Sequence, residues 1–182
     1  MGAIRPPQPV KLLLPMLAAE EALLAAVEAD LTALWGAIDY RSAPLLFAHT
    51  DYYAHEFGPR LLRRFLAFER LIDPGDLAAI KRATNEIEAR WSEGGRRRVN
   101  LDPGYLTQAK LVLATTKNQA HRIYLGQGIY AEVTLIYRDG AWRPLPWTYL
   151  DYASAAYHAV FSAIRALLSL QLRLARPGAA AA

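Results

Sequence analysis

The chain has 182 residues, 53% of them hydrophobic and 21% charged, with no cysteine and a formal net charge of +4 at neutral pH. That size and apolar content belong to one packed domain and exclude a disordered or fibrous chain. The missing cysteine excludes a disulfide framework, thiol catalysis and every thiolate metal site.

Charge is unevenly spread: residues 1–59 hold three Lys or Arg against seven Asp or Glu, and 60–182 hold eighteen against ten. A surface facing an anion therefore belongs to the later part of the chain. Residues 1–9 carry three prolines and one basic residue and resemble neither a signal peptide nor an anchor. The apolar C-terminal segment is interrupted by Arg165, Arg173 and Arg176, so no membrane span and a cytoplasmic location are expected.

Residues 10–18 read as a buried strand. From Glu20 to Trp35 come good helix formers with Leu23, Leu24, Val27, Leu31 and Leu34 on one stripe, closed by Gly36. A second strand is expected over 44–49 and a third over 61–72, where apolar residues lack a helical stripe. Asp73-Pro74 opens a helix carrying Leu77, Ile80, Ile87 and Trp91, and Gly94-Gly95 stops it. A strand over 97–101 completes a β-α-β-β-α-β order, that of a ferredoxin-like core. Residues 105–115 read equally as a short helix or an extended segment. Strands over 121–125, 129–138 and 141–145 then form a meander around Gly126-Gln127-Gly128 and Asp139-Gly140. A final helix over 151–174 buries Tyr157, Phe161, Ile164 and Leu168. The expectation is one α+β domain over 10–174: a ferredoxin-like βαββαβ core extended by a C-terminal antiparallel meander and a long C-terminal helix, with disordered tails at 1–9 and 175–182.

Several runs, among them Thr50-Asp51-Tyr52-Tyr53, Leu71-Ile72-Asp73-Pro74, Thr84-Asn85-Glu86-Ile87-Glu88, Arg97 through Leu106, His121 through Gly126, Gly128 through Thr134 and Leu145-Pro146-Trp147-Thr148-Tyr149, resemble the bacterial family catalogued as domain of unknown function 4416. The resemblance spans nearly the whole chain and implies membership without a chemistry. Members sometimes carry the label GTP-binding protein. No G-x-x-x-x-G-K-[ST] loop occurs here, and Thr116-Lys117-Asn118-Gln119 replaces the carboxylate of a guanine-reading T-K-x-D by Gln119.

Three constellations could carry chemistry. His49-Thr50-Asp51-Tyr52-Tyr53, followed by His55-Glu56, offers imidazole and carboxylate ligands at strand-end spacing, or a turn in which Asp51 caps the backbone. Arg96-Arg97-Arg98 leads into Asn100; on a regular strand Arg96, Arg98 and Asn100 share a face and could grip phosphate or carboxylate, with Asp102-Pro103-Gly104 as the following turn. In the hairpin Tyr124 faces Tyr130 and Arg122 faces Glu132, on a polar face shared with Thr134; Lys117 and His121 lie just before it, which makes Glu132 a candidate base.

The expected function is binding of an anionic small molecule, phosphorylated or nucleotide-like. Arg98, Asn100, Lys117, Arg122, Asp51 and Tyr130 are the candidate ligand-binding residues, and Glu132 and His121 the candidate catalytic ones. That expectation requires convergence in one pocket. Alternatives are an RNA module using Tyr124 and Tyr130, and a protein-interaction or homo-oligomer role for the leucine-rich final helix. No cofactor, metal or nucleophilic triad can be named from the sequence.

Overall fold

The structure, a computed structural model, describes residues 2–47 and 61–175. Strand β1 (Lys11–Ala18) is buried along its whole length, as a central strand covered on both faces must be. Helix α1 (Glu21–Trp35) follows and ends at Gly36, which adopts φ 87° and returns its N–H to the Thr32 carbonyl. Trp35 rather than Leu34 completes the buried stripe; Leu34 is half exposed. Next come β2 (Ile38–Arg41) and β3 (Leu45–Phe47), then β4 (Leu61–Phe68). The expected strand to residue 72 ends at Phe68, and Ile72 makes only an isolated bridge to Val10.

Asp73 accepts the Gly75 N–H and starts a short 3-10 turn (Pro74–Asp76) that runs into α2 (Leu77–Arg90). A small separate hairpin pairs β5 (Ser92–Glu93) with β6 (Arg96–Arg97). The chain re-enters the main sheet as β7 (Val99–Leu101), β8 (Gly104–Leu106) and β9 (Lys110–Thr115), so the extended alternative holds for residues 105–115, with a turn at 107–109. The meander is β10 (Ile123–Gly126), β11 (Ile129–Arg138) and β12 (Ala141–Pro144). Tyr124 lies opposite Tyr130, as the loop length requires. Ser154 caps α3 (Ala155–Leu174) through its hydroxyl.

Among the described residues the main sheet has ten strands and runs β10-β11-β9-β8-β1-β4-β2, with β12 on β11, β3 on β4 and β7 on β1. All its pairings are antiparallel. The architecture is thus mixed α+β, a large antiparallel sheet with a C-terminal helix. Alternation along the strands divides the core in two. Leu12, Leu14, Met16, Leu66 and Phe68 meet Leu24, Val27 and Leu31 of α1 and Ile80 and Ile87 of α2. Leu13, Phe65 and Leu106 point the other way, onto Tyr157, Phe161 and Ile164 of α3. Phe65 centres that second layer, edge-to-face with Tyr157 at 4.6 Å and Phe161 at 5.4 Å, the geometry that ring quadrupoles favour. Among the described residues α3 is the one helix long and apolar enough to cross a membrane; here its apolar face is the lid of the aromatic layer.

Candidate functional site

The site arises where the sheet forks. The first half of β1 pairs with β8 and the second half with β7, so that Leu13 lies opposite Gly104 and Met16 opposite Leu101. On the far side β9 pairs with β8 as far as Leu113 opposite Gly104, and the Ala114 N–H still reaches the Pro103 carbonyl at 3.0 Å. From there β9 stays with β11 and leaves β7. Gly104 sits at the crotch of the fork: a Cβ on it would lie 2.3 Å from the Val112 carbonyl oxygen and 2.7 Å from Leu113 Cδ2. Only glycine permits that approach.

Past the fork, the outward backbone of β7 needs partners that no strand supplies among the described residues. Two side chains of α2 take over. Lys81 Nζ donates to the Leu101 carbonyl at 2.7 Å, and Glu88 Oε1 accepts the Leu101 N–H at 2.6 Å. They lie two helical turns apart, on one face of α2. Both are buried, so a lysine and a glutamate stand in for a missing strand.

The opening left by the fork is a cleft of about 650 Å³. Among the described residues its cations are Arg63, Lys81, Arg97, Lys117 and Arg122, contributed by β4, α2, β6, the turn after β9 and the start of the hairpin. Its carboxylates, among the same residues, are Glu88, Asp102, Glu132 and Asp151. Arg63 donates to Asp102 at 3.1 Å, stands 3.7 Å from Asp151 and lies over the Phe47 ring at 5.1 Å. Arg97 bridges Glu88 at 3.1 Å and the Asn100 amide oxygen at 3.2 Å, while Asn100 donates to Asp102 at 2.7 Å. Across the cleft Arg122 Nε meets Glu132 at 2.8 Å. Phe47, Leu113 and Leu150 add apolar wall.

Burial and charge set the protonation of these groups. Burial works against an ionised Asp102, but Lys81, Arg63 and the Asn100 amide outweigh it and hold the carboxyl below the usual aspartate value. Glu88 goes the other way: burial raises it above the usual glutamate value despite Lys81, the Leu101 N–H and Arg97. Tyr152, at the inner wall, is raised well above an ordinary phenol by burial, against the pull of Arg63. Among the described residues its hydroxyl is buried with no hydrogen-bond partner. Tyr157 beneath it is pushed up to about 12, again by burial first.

Four of the sequence-predicted residues, Asn100, Lys117, Arg122 and Glu132, line this cleft together. His121 stands just behind them: its Nε2 donates to Glu132 Oε2 at 3.0 Å, and its ring stacks on Trp147 at 4.9 Å. Glu132 accepts from His121 and Arg122 on one oxygen and from Thr134 on the other. It is a carboxylate pinned by three donors. Arg98 is not in the cleft. A bend at Arg98 separates β6 from β7 and breaks the strand alternation, so Arg97 joins Asn100 while Arg98 turns outward to Glu20 at 3.6 Å and Glu93 at 3.4 Å. Tyr130 lies against Tyr124, ring centroids 5.1 Å apart, and does not line the cleft. Asp51, with His49, His55 and Glu56, lies outside the described residues.

Sequence reasoning missed Arg63, Lys81, Glu88, Asp102 and Asp151. Arg63 carried a signal, a charge set in an apolar strand between Leu61 and Phe65. Lys81 and Glu88 did so too, by standing on the apolar side of α2 beside Ile80 and Ile87. Asp102 looked like a turn former and Asp151 like the start of the last helix; their roles depend on the fork, which no local pattern announces. Among the described residues no group of three or more His, Asp or Glu side chains could hold a metal ion.

Fold and site together define an α+β protein whose antiparallel sheet splits around a cleft of buried, paired charges. Within that class the chain belongs to the family described as Domain of unknown function (DUF4416), whose model matches residues 8–167. No curated protein and no solved structure matches it.

Proposed function

We propose that the cleft binds an anionic small molecule, phosphorylated or nucleotide-like. The observation that carries this reading is the convergence of five cationic side chains, counted among the described residues, from separate parts of the chain on one concavity. Cations that line one low-dielectric cleft strengthen one another's pull on an anion. The role of Glu132 and His121 in this reading is to orient Arg122, with a proton-transfer role dependent on a substrate that reaches them. Thermal-shift measurements with inorganic phosphate, phosphorylated polyols and nucleoside phosphates test the reading. A ligand present at 100 times its Kd adds about 2.7 kcal/mol, and Arg122→Ala should reduce the shift. Absence of any shift across the series at millimolar concentration would sink the idea.

The strand order β7-β1-β4-β2, with α1 and α2 packed on one face, supports a finer reading of the first half as a ferredoxin-like core. A second functional reading, a protein-interaction module, is favoured by the end strand β10, where Ile123 is 71% exposed and Tyr124 and Leu125 are exposed beside it. Leu170 and Leu174 of α3 are exposed as well and keep self-association through that helix open to test. A mass that stays monomeric up to millimolar concentration in light scattering would remove the self-association reading. RNA binding has less behind it, because Tyr124 and Tyr130 pack on each other. A cytoplasmic location remains our proposal.

A further inference from the structure

The four carboxylates that line the cleft among the described residues differ in what they have left to offer. Glu88 uses one oxygen on the Leu101 N–H and the other on Arg97. Glu132 uses both, on His121 with Arg122 and on Thr134. Asp151 accepts the Tyr152 N–H on Oδ1 at 3.0 Å and faces Arg63 with Oδ2. Asp102 takes both its bonds, from Arg63 and Asn100, on Oδ2. Its Oδ1 is the one carboxylate oxygen of the four that no hydrogen bond or ion pair among the described residues engages. The Asp102 side chain is 28% exposed and lines the cleft together with Arg63 and Asn100, the two residues it bonds. A carboxylate oxygen has two lone-pair sites and accepts only.

That leaves an acceptor, held ionised, standing beside cations that draw in an anion. A fully ionised phosphate monoester such as methyl phosphate cannot use it, since above its second pKa of about 6 it has no proton left to donate and would meet Asp102 as a like charge. A ligand that carries a hydroxyl or amino group next to its anion can use both. We propose that Asp102 is the specificity-determining residue of the cleft, accepting a hydrogen bond on Oδ1 from the ligand, and that the ligand class is therefore an anion bearing hydroxyl or amino groups: a phosphorylated polyol, sugar or nucleoside. This rests on the anion reading above and names the chemistry of that same site. Phe47 and Leu150 at the wall suit the carbon skeleton of such a molecule.

The test is isothermal titration calorimetry of the full chain with methyl phosphate, glycerol 3-phosphate, ribose 5-phosphate and a nucleoside 5′-monophosphate. The hydroxylated phosphates should bind at least tenfold more tightly than methyl phosphate, the equivalent of about 1.4 kcal/mol. In Asp102→Asn that ratio should fall to within about twofold, because the amide no longer presents an ionised acceptor. Asp102→Glu, which keeps the charge but moves the oxygens by one methylene, should lower the ratio too and replaces Asp102→Asn if circular dichroism shows the latter unfolded. Methyl phosphate binding as tightly as the hydroxylated compounds to the wild-type chain would overturn the proposal and leave the anion reading standing. So would a ratio unchanged in a folded Asp102 variant. If no phosphate binds, the anion reading itself fails and takes this one with it.

Discussion

Arg63 and Arg64 are neighbours on β4, and they are buried to the same degree, 3% and 6% exposed. Alternation sends them to opposite faces of the sheet, and there the likeness ends. Arg64 meets α1: its guanidinium donates to Glu21 at 2.6 Å and Glu28 at 3.0 Å, and Arg41 closes the far side of Glu28 at 2.7 Å. Arg63 meets the cleft, where its partners Asp102 and Asp151 come from loops and border open volume. Among the described residues Nε lacks a hydrogen-bond partner in both, so an unsatisfied nitrogen does not mark a site. What marks one is the company it keeps: a cavity and a carboxylate with an oxygen to spare. Burial of a charge is shared by clasp and site alike.

Substitution should pull the two arginines apart. Arg64→Ala leaves the buried Glu28 with Arg41 alone and should cost about 3 kcal/mol in urea denaturation, the lower end of what removing one partner of a buried ion pair costs. Arg63→Ala should cost less, about 1–3 kcal/mol, because Asp102 borders the cleft and water can reach it. The order reverses for binding: Arg63→Ala should abolish the thermal shift given by phosphorylated ligands, and Arg64→Ala, in whatever folded protein remains, should preserve it. Equal stability losses would show that the cleft is as closed as the clasp.

Gly104→Ala tests the fork itself. The added carbon must push back the Val112 carbonyl, which is backbone, as well as Leu113. About 3 kcal/mol is expected, at the upper end for an overpacked core, with binding weakened alongside because Leu113 lines the cleft. A neutral result would mean that β8 and β9 can separate at no cost.

The elements written into local pattern were legible in the sequence: the buried stripe of α1, Asp73-Pro74 opening α2, and the hairpin that sets Arg122 against Glu132. Half of the site came with that hairpin, because a three-residue loop dictates who faces whom. The other half did not. Strand β2 is four residues long with a single alternation of Ile38 and Tyr40, too short to stand out from a loop. Arg98 was misplaced because a bend of one residue inverts every face that follows it. Lys81, Glu88 and Asp102 take their roles from the parting of β7 and β9, a decision made between segments more than ten residues apart. Their one local mark was charge on an apolar stripe, which sequence alone does not separate from a long side chain reaching for water.

Glu88 and Asp102 carry the smallest and most discriminating effect, since they face one cleft and titrate in opposite directions. The folded-state value of Asp102 is lowered. Its linked stability is therefore fully present above the ordinary aspartate value of about 3.9 and is lost as pH falls through the lowered one. Glu88 is raised. Its linked contribution is present below the ordinary glutamate value of about 4.3 and is lost as pH rises through the raised one. Each amide variant deletes its own term. The destabilisation caused by Asp102→Asn should thus shrink as denaturation is repeated from pH 6 toward pH 2, while that caused by Glu88→Gln should shrink in the other direction, from acid toward neutral. Glu88→Gln should cost about 1 kcal/mol at its mildest, since an amide oxygen can still accept the Leu101 N–H. Parallel pH trends in the two variants would mean that Lys81 and Arg63 do not divide their charge between the carboxylates as the geometry of the fork requires, and with it would go the ground for treating Asp102 as the ionised, outward-facing acceptor of the pair.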